Sequence, residues 1–454
     1  MSPLLGPSSS SFRGVVGVAR QDITPPLGIH ARNWGAAKHD VAEGVHRPLT
    51  LTTLTIERTR VDMAGPLVLI SADLMSWRSR AAQSAVLERV FAESSLPRER
   101  MMFCLTHTHA APSVRSEDAE KPGGLLIAAY QDQLVRAALR SISLAQMDKA
   151  EATLTWRYGR CDLATNRDLP EPGGDRIVCG FNPAENADDT LLVGRVTRDD
   201  DGRILATIVN YACHPTTLAW ENRDLSPDFV GAMREVAESH TDAPCLFLQG
   251  ASGELAPAEQ YTGNATVAER HGRRLGFAVL ATLEAMDPPG MRLVYKGVVE
   301  SGAPLAVWRA EASPVGTTLA ARRVMVPLPL KPKPAAAEVD DPVARERLAR
   351  QRAVREIVGE GSVGEMPMWT WQVGDAWLVG QPNEAYSTFQ TTLRETFKPR
   401  AVAVMNLVNG SAGYLPPRAM YDRDVYQVWQ SPFAAGALET LTDTAELTLR
   451  EMMQ

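Results

Sequence analysis

Eight histidines occur in this chain of 454 residues. Three of them stand where a short apolar run gives way to a loop. His107 and His109 lie in THTHAAP, residues 106–112, directly after the apolar run 101–105, and His214 lies in Cys213-His214-Pro215, after the run 204–211. In extended chain, residues i and i+2 point to the same side, so His107 and His109 can turn both imidazoles into one pocket. Imidazole nitrogen suits zinc, which takes three or four N, O or S ligands. Taken singly, each histidine reads as a satisfied structural residue; the His-x-His pair at a strand end is what points to a site. Asp22, Asp73, Asp228 and Glu254 are placed either to orient a ligand histidine or to cap turns and helices. Gly250 and Gly253 permit a close backbone approach, but no Lys-Ser or Lys-Thr follows them, so a phosphate-binding loop is not indicated.

Stepping outward to the elements that must hold these residues, apolar β-rich runs alternate with amphipathic helical stretches. Strands are expected at 14–19, 49–57, 67–70 and 101–105, with a helix at 79–94 between the last two and another at 128–145. A hairpin at 191–196 and 204–211 turns around Asp199 to Gly202. A helix at 227–239, a strand at 245–248 and a helix at 265–285 follow, and strands at 368–373, 376–380 and 401–407 close the chain. This rhythm predicts an α/β fold, in which functional side chains gather where strands end and loops begin. Residues 301–365 differ in composition. A Pro-rich stretch at 326–334 precedes a charged helix at 343–357, which reads as an inserted arm or lid, with its Arg and Glu residues on a solvated face or a subunit contact. Trp308, Met325, Trp369 and Trp371 are candidates for a pocket wall. Residues 1–13, rich in Ser, Pro and Gly, are expected to be disordered.

Several local patterns together resemble the neutral, non-lysosomal ceramidase family. GVARQDITP at residues 17–25 is similar to its GxxxxDIT element, GVHRPL at 44–49 to its GIHxRL element, and 106–112 to its THTHSGP signature. Asn166-Arg167 is similar to the NRSP element, NYACHPTT at 210–217 to the turn carrying a second metal histidine, and QPNE at 381–384 to the PGE element. Gly413-Tyr414 and Tyr426 are similar to its paired tyrosines. The matches fall in the family's order across most of the chain. The resemblance implies a large mixed α/β domain with two β-sheets flanked by helices. It implies Zn2+ held by His107, His214, Glu384 and Tyr414, with His109, Arg167 and Tyr426 as the other active-site groups. The implied activity is zinc-dependent hydrolysis of an amide (N-acyl) bond by metal-activated water. The alternatives are an ester, lactone or glycoside cleaved by the same metal site, or a non-catalytic binding homologue.

Two departures refine that expectation. The family's QSNxGD element, whose serine has been proposed as a nucleophile, reads QGASGE at 249–254 here; Gly250 takes the serine's place and Ser252 reads as a turn residue. Attack by a water activated at the metal is therefore favoured over a serine. The family's C-terminal immunoglobulin-like domain has too little chain after Tyr426 to form, so a single catalytic domain over 14–454 is expected.

Composition sets the remaining bounds. Hydrophobic residues make up 44% and charged residues 22%, an ordinary globular balance. A net charge of −7 without a basic stripe argues against a nucleic-acid partner and gives no attraction to anionic lipid. No run of about 18 apolar residues is present, so no membrane insertion is expected. Five cysteines without a CxxC pair read as reduced core residues, and no basic-then-apolar leader opens the chain, so a cytoplasmic setting is expected. The expected partner is a small or medium-sized soluble substrate, not bilayer ceramide, and association into a homo-oligomer is left open.

Overall fold

The structure, a computed structural model, describes residues 5, 9–59, 63–334 and 340–454. Eight apolar, β-rich segments pair into a mixed sheet. They are β1 (Ser11–Asp22), β2 (Thr50–Glu57), β3 (Leu67–Ala72), β4 (Met101–Leu105), β5 (Ala150–Arg160), β6 (Thr190–Arg198), β7 (Ile204–Tyr211) and β8 (Cys245–Gln249). The order across the sheet is β8-β7-β6-β5-β1-β2-β3-β4. Pairing is antiparallel except at the two edges, where β3 and β4 and then β7 and β8 run parallel. A second sheet is built from β9 (Leu319–Pro329), β10 (Val363–Val373), β11 (Ala376–Gly380) and β12 (Val402–Met405), in that order.

The period-two alternation of strand side chains decides how the sheets stack. In β3, Leu67 and Leu69 join one core while Val68 and Ile70 join another; in β11, Leu378 faces the first of these while Trp377 and Val379 face a third. The shared core unites Leu54, Leu69, Ile208 and Leu246 of the large sheet with Trp369, Trp371, Leu378 and Met405 of the small one. The two sheets therefore pack face to face. Each fully buried aliphatic side chain contributes about 1.5–3 kcal/mol before chain entropy is set against it.

Helices cover both outer faces. On the large sheet lie α1 (Ile127–Met147), α2 (Phe229–Thr241) and α3 (Ala265–Glu284). The charged helix α4 (Pro342–Val358) lies beside the loop region described below. On the small sheet lie α5 (Ser387–Thr396) and α6 (Ala437–Met452). The result is four layers: helices, sheet, sheet, helices. The large sheet is curled, since Ser71 Oγ of β3 donates to the Phe247 carbonyl of β8 at 2.6 Å although the strands lie far apart in sheet order. Among the described residues, no helix is long and apolar enough to cross a membrane.

The two-sheet α/β expectation holds, and the differences are local. The first strand runs from Ser11 to Asp22 because it pairs with β5 at its start and with β2 to its end. Most of residues 1–8 lie outside the described residues. The helix expected at 79–94 is capped by Ser79, which accepts from the Ala82 amide, but is interrupted by a π-turn at Ser84–Glu88; no Gly or Pro in the sequence signals it. Within 301–365, residues 319–329 form β9, paired with β10 along its whole length. The Pro-rich stretch from 326 reads in the sequence as part of an inserted arm or lid, but up to Pro329 it belongs to β9, an edge strand, where proline is tolerated. A hairpin of Met291–Glu300 and Pro304–Ala312 precedes it. Trp369 and Trp371 belong to the core between the sheets, not to a pocket wall, with their indole N–H groups on the Arg98 and Glu99 carbonyls.

Gly17 sets the distance between α1 and β1. A Cβ there would lie 1.8 Å from the Ala145 carbonyl oxygen, a backbone atom that cannot step aside. Gly17→Val is expected to lower stability by about 1–3 kcal/mol through overpacking, read as a drop in the urea midpoint. An unchanged midpoint would mean that the helix has room to move.

Candidate metal centre

His107 follows β4 by two residues and adopts φ +70°, a left-handed conformation uncommon outside glycine. The surrounding loop imposes it. The His107 amide donates to the Leu74 carbonyl at 2.9 Å, and Thr106 Oγ1 donates to Asp73 Oδ1 at 3.1 Å. Asp73 is in turn fixed by the Thr50 amide at 2.8 Å and by an ion pair with Arg234. His107 Nδ1 lies 2.7 Å from the Met75 carbonyl, so Nδ1 carries the proton and Nε2 presents a lone pair.

His214 follows β7 and is completely buried. Its Nδ1 donates to the Ser252 carbonyl at 2.7 Å and faces the Leu255 carbonyl at 3.1 Å, so here too Nε2 is a lone pair. Glu384 comes from the second sheet's side. It opens a short parallel pair in which Glu384–Ala385 runs beside Tyr414–Leu415, so the register places Glu384 next to Tyr414. Glu384 Oε2 lies 3.2 Å from His107 Nε2 and 3.1 Å from His214 Nε2. His107 Nε2 has no aligned hydrogen-bond partner despite that short distance. His109 sits beside both histidines, with ring centroids 4.9 Å from His107 and 6.2 Å from His214, and neither of its buried nitrogens has a partner among the described residues.

The electrostatics sharpen the picture. Burial, then the Arg167 charge, pulls His214 down to about 3. Burial, with His107 and His214 nearby, puts His109 well below its ordinary value. Burial alone would raise Glu384, but His107 and His214 outweigh it and hold the carboxyl well below the usual range. His107 Nε2 and His214 Nε2 thus both face the Glu384 carboxylate at close range, each ring held from behind at Nδ1 by a backbone carbonyl. Buried acceptors so arranged are satisfied by a cation. The ligand atoms of His107, His109 and His214 all lie within 4.8 Å of one another, and the group is compatible with a metal ion.

Arg167 links the remaining residues. The antiparallel pair Ala164–Asn166 with Leu255–Pro257 holds its backbone, and its guanidinium donates to the Gly253 carbonyl at 2.7 Å. The same Nη2 reaches Tyr414 Oη at 3.2 Å and His214 Nε2 at 3.3 Å. Burial, then the Glu384 charge, raises the Tyr414 phenol well above its ordinary value; burial raises Tyr426 likewise. Both hydroxyls therefore keep their protons. The Tyr426 ring lies 5.5 Å from Tyr414, and its hydroxyl is hydrogen-bonded by Arg350 of α4. All seven residues singled out in the sequence thus lie in one cluster.

Ser252 Oγ is buried and accepts from Gln249 Nε2 at 2.6 Å, while its carbonyl orients His214. A side chain at Gly250 would come within 2.9 Å of Ala212 Cβ and Gln390 Oε1. Of the four carboxylates weighed in the sequence, Asp73 braces the His107 loop, and Asp228 braces the segment after His214 by accepting the Leu218 amide at 2.8 Å. Asp22 takes the Thr24 amide, Asp228 caps α2, and Glu254 accepts from the Ser387 amide. The sequence did not flag Trp34, which lies 5.0 Å from His109, nor Trp220 and Tyr261 beside it. An aromatic residue in the polar loop 32–35, and another six residues after His214, were the available signals.

No protein-family model matches the chain, and neither does any curated protein sequence. Solved structures do match. The chain is similar to the neutral ceramidase of Pseudomonas aeruginosa, with a TM-score of 0.66 and 17% identity over 95% of this chain and 73% of that one. A ceramidase complexed with C2 is similar at a TM-score of 0.66 and 18% identity, over 96% and 74%. The fold is that of the neutral ceramidases.

Burial pushes the Glu254 carboxyl up to about 7. The folded protein thus holds a proton that the unfolded chain releases near 4.5. Its contribution to stability is fully present below that value and is lost as pH rises to about 7. Glu254→Gln is expected to flatten the fall in Tm between pH 5 and 7.5. Parallel Tm profiles for the two proteins would mean that Glu254 ionises freely in the fold.

Proposed function

We propose that this protein is a zinc-dependent hydrolase that cleaves an amide, N-acyl bond of a soluble substrate, with water as the nucleophile. The observation that carries this reading is the meeting of His107 Nε2 and His214 Nε2 with Glu384 Oε2 at 3.2 and 3.1 Å, inside a fold shared with neutral ceramidases. His107, His214, Glu384 and Tyr414 would hold the zinc. When bound, it supplies a Lewis acid for the scissile carbonyl and lowers the pKa of water.

The chain's own residues supply the rest. His109 is neutral and both its nitrogens are free, so it can take a proton from the attacking water and pass it to the leaving nitrogen. Arg167 stays charged and Tyr426 stays protonated, so both are hydrogen-bond donors for charge that develops on the carbonyl oxygen. Ser252 takes no covalent part, since its hydroxyl is engaged within the turn. A cytoplasmic, reducing setting belongs to the same reading and is supported by five free thiols, four of them buried.

His107→Ala and His214→Ala are expected to lose bound zinc and amidase activity together. Elemental analysis finding full zinc in both variants would remove these ligands from the scheme. His109→Ala is expected to keep its zinc and lose about 10²–10⁴-fold in kcat. Ser252→Ala should keep most of the activity, and an acyl group trapped on Ser252 would instead establish a covalent route.

A further inference from the structure

Arg78 lies just beyond the segment whose Leu74 and Met75 carbonyls hold His107, at φ +54°. Its Nη1 donates to Asn33 Oδ1 at 3.2 Å. Asn33 Nδ2 in turn donates to the His109 carbonyl at 3.1 Å and the Ala111 carbonyl at 2.7 Å. One asparagine thus ties Arg78 to the loop that carries His109.

Arg350 approaches from α4 on the other side. It bonds Tyr426, and its Nη2 lies 3.4 Å from where a Cβ on Gly35 would stand. The two arginines bracket the 33–35 loop at the edge of the metal centre. Helix α4 is anchored there by Gln351 Nε2 on the Trp429 carbonyl at 2.7 Å and by Arg347 on Asp424 at 2.8 Å.

The charges in this corner do not balance. Arg78 has no carboxylate partner among the described residues. The nearby acid is Asp118, already committed to Lys121 at 2.8 Å and Ser113 at 2.7 Å. Arg115 is a further cation, whose Nε is 3.9 Å from Glu117. Arg350 shares only Glu346 of its own helix, at 2.8 Å. Burial, with Arg115 and Arg350 adding repulsion, lowers the Arg78 pKa, and its charge also bears on His109. A largely enclosed arginine without a counter-ion is uncommon, and the planar guanidinium fork matches a carboxylate. In a chain of net charge −7, a local cationic corner of this kind recruits an anion that the molecule as a whole repels. Beside His109, Trp34, Trp220 and Tyr261 make an aromatic wall, with ring centroids 5.7–5.9 Å apart, suited to an apolar acyl portion.

We propose that Arg78 and Arg350 bind a carboxylate of the substrate, so that the compound cleaved here is an acidic amide of the N-acyl amino acid class, its acyl part against the aromatic wall. The bond type in this assignment rests on the amidase reading above; the anion site stands on its own geometry.

The test uses the full-length, zinc-loaded protein with N-octanoylglycine and its uncharged counterpart N-octanoylglycinamide. Binding is followed by calorimetry, and turnover by release of octanoate. The acid is expected to bind, and to be turned over in kcat/KM, about 10- to 100-fold better than the amide, the range for a charge-assisted pair. Arg78→Gln and Arg350→Gln should each shrink that ratio toward one at unchanged zinc content, with Arg78→Lys keeping part of it. Arg350 is half-exposed on its helix, so its substitution carries the test even if Arg78→Gln does not fold. Turnover of both compounds without preference overturns the anion site and leaves the amidase reading intact. Preferential binding of the acid that depends on the two arginines, with neither compound hydrolysed, upholds the anion site and overturns the amidase reading. Failure of the acid to bind at millimolar concentration also overturns the anion site.

Discussion

The close approach of His107 Nε2 and His214 Nε2 to the Glu384 carboxylate is the interaction on which the rest of this molecule turns. A buried group of this kind is well satisfied by a cation. It persists because each member is held from behind. The Met75 carbonyl fixes His107, the Ser252 and Leu255 carbonyls fix His214, and strand pairing fixes Glu384. The members also come from different layers. The histidines follow strands of the large sheet, whereas Glu384 and Tyr414 follow strands of the small one. The centre therefore lies at the seam of the sandwich, and a cation there would tie its two halves together.

That arrangement explains which features the sequence made legible. Strand-end histidines are visible because an apolar run stops and a His-x-His begins. The α/β class is visible because apolar runs alternate with amphipathic ones, and the two-sheet arrangement is implied by the family resemblance. The seven site residues could be gathered only through the resemblance to a family, since Glu384 and Tyr414 lie far along the chain from His107 and no spacing rule links them. What stayed hidden is equally specific. Strand β9 was masked by Pro327 and Pro329, which an edge position tolerates. Arg350 was masked by its setting, one of several arginines on a helix whose composition reads as a solvated face. Only the tertiary approach of that helix to Tyr426 separates it from its neighbours.

Charge is distributed in the site with a consistent logic. Burial lowers His109 and His214, with Arg167 adding to the effect at His214, while the two tyrosines keep their protons and Glu384 is held ionised. Arg167 enters this set, reaching His214 and Tyr414, whereas Arg78 and Arg350 stand beside it on Asn33 and Tyr426. Guanidinium groups that do not titrate thus supply fixed charge next to groups able to exchange protons.

His107 carries the cost of this design in its backbone. A histidine at φ +70° is held against its preference by about 1–3 kcal/mol, an energy that glycine in the same place would not carry. Stability and chemistry thus pull on one residue in opposite directions. On the proposed reading, a lineage released from the reaction would gain folding stability by giving up that imidazole, so position 107 can serve as a marker, within any set of related chains, of which have kept the centre and which have let it go.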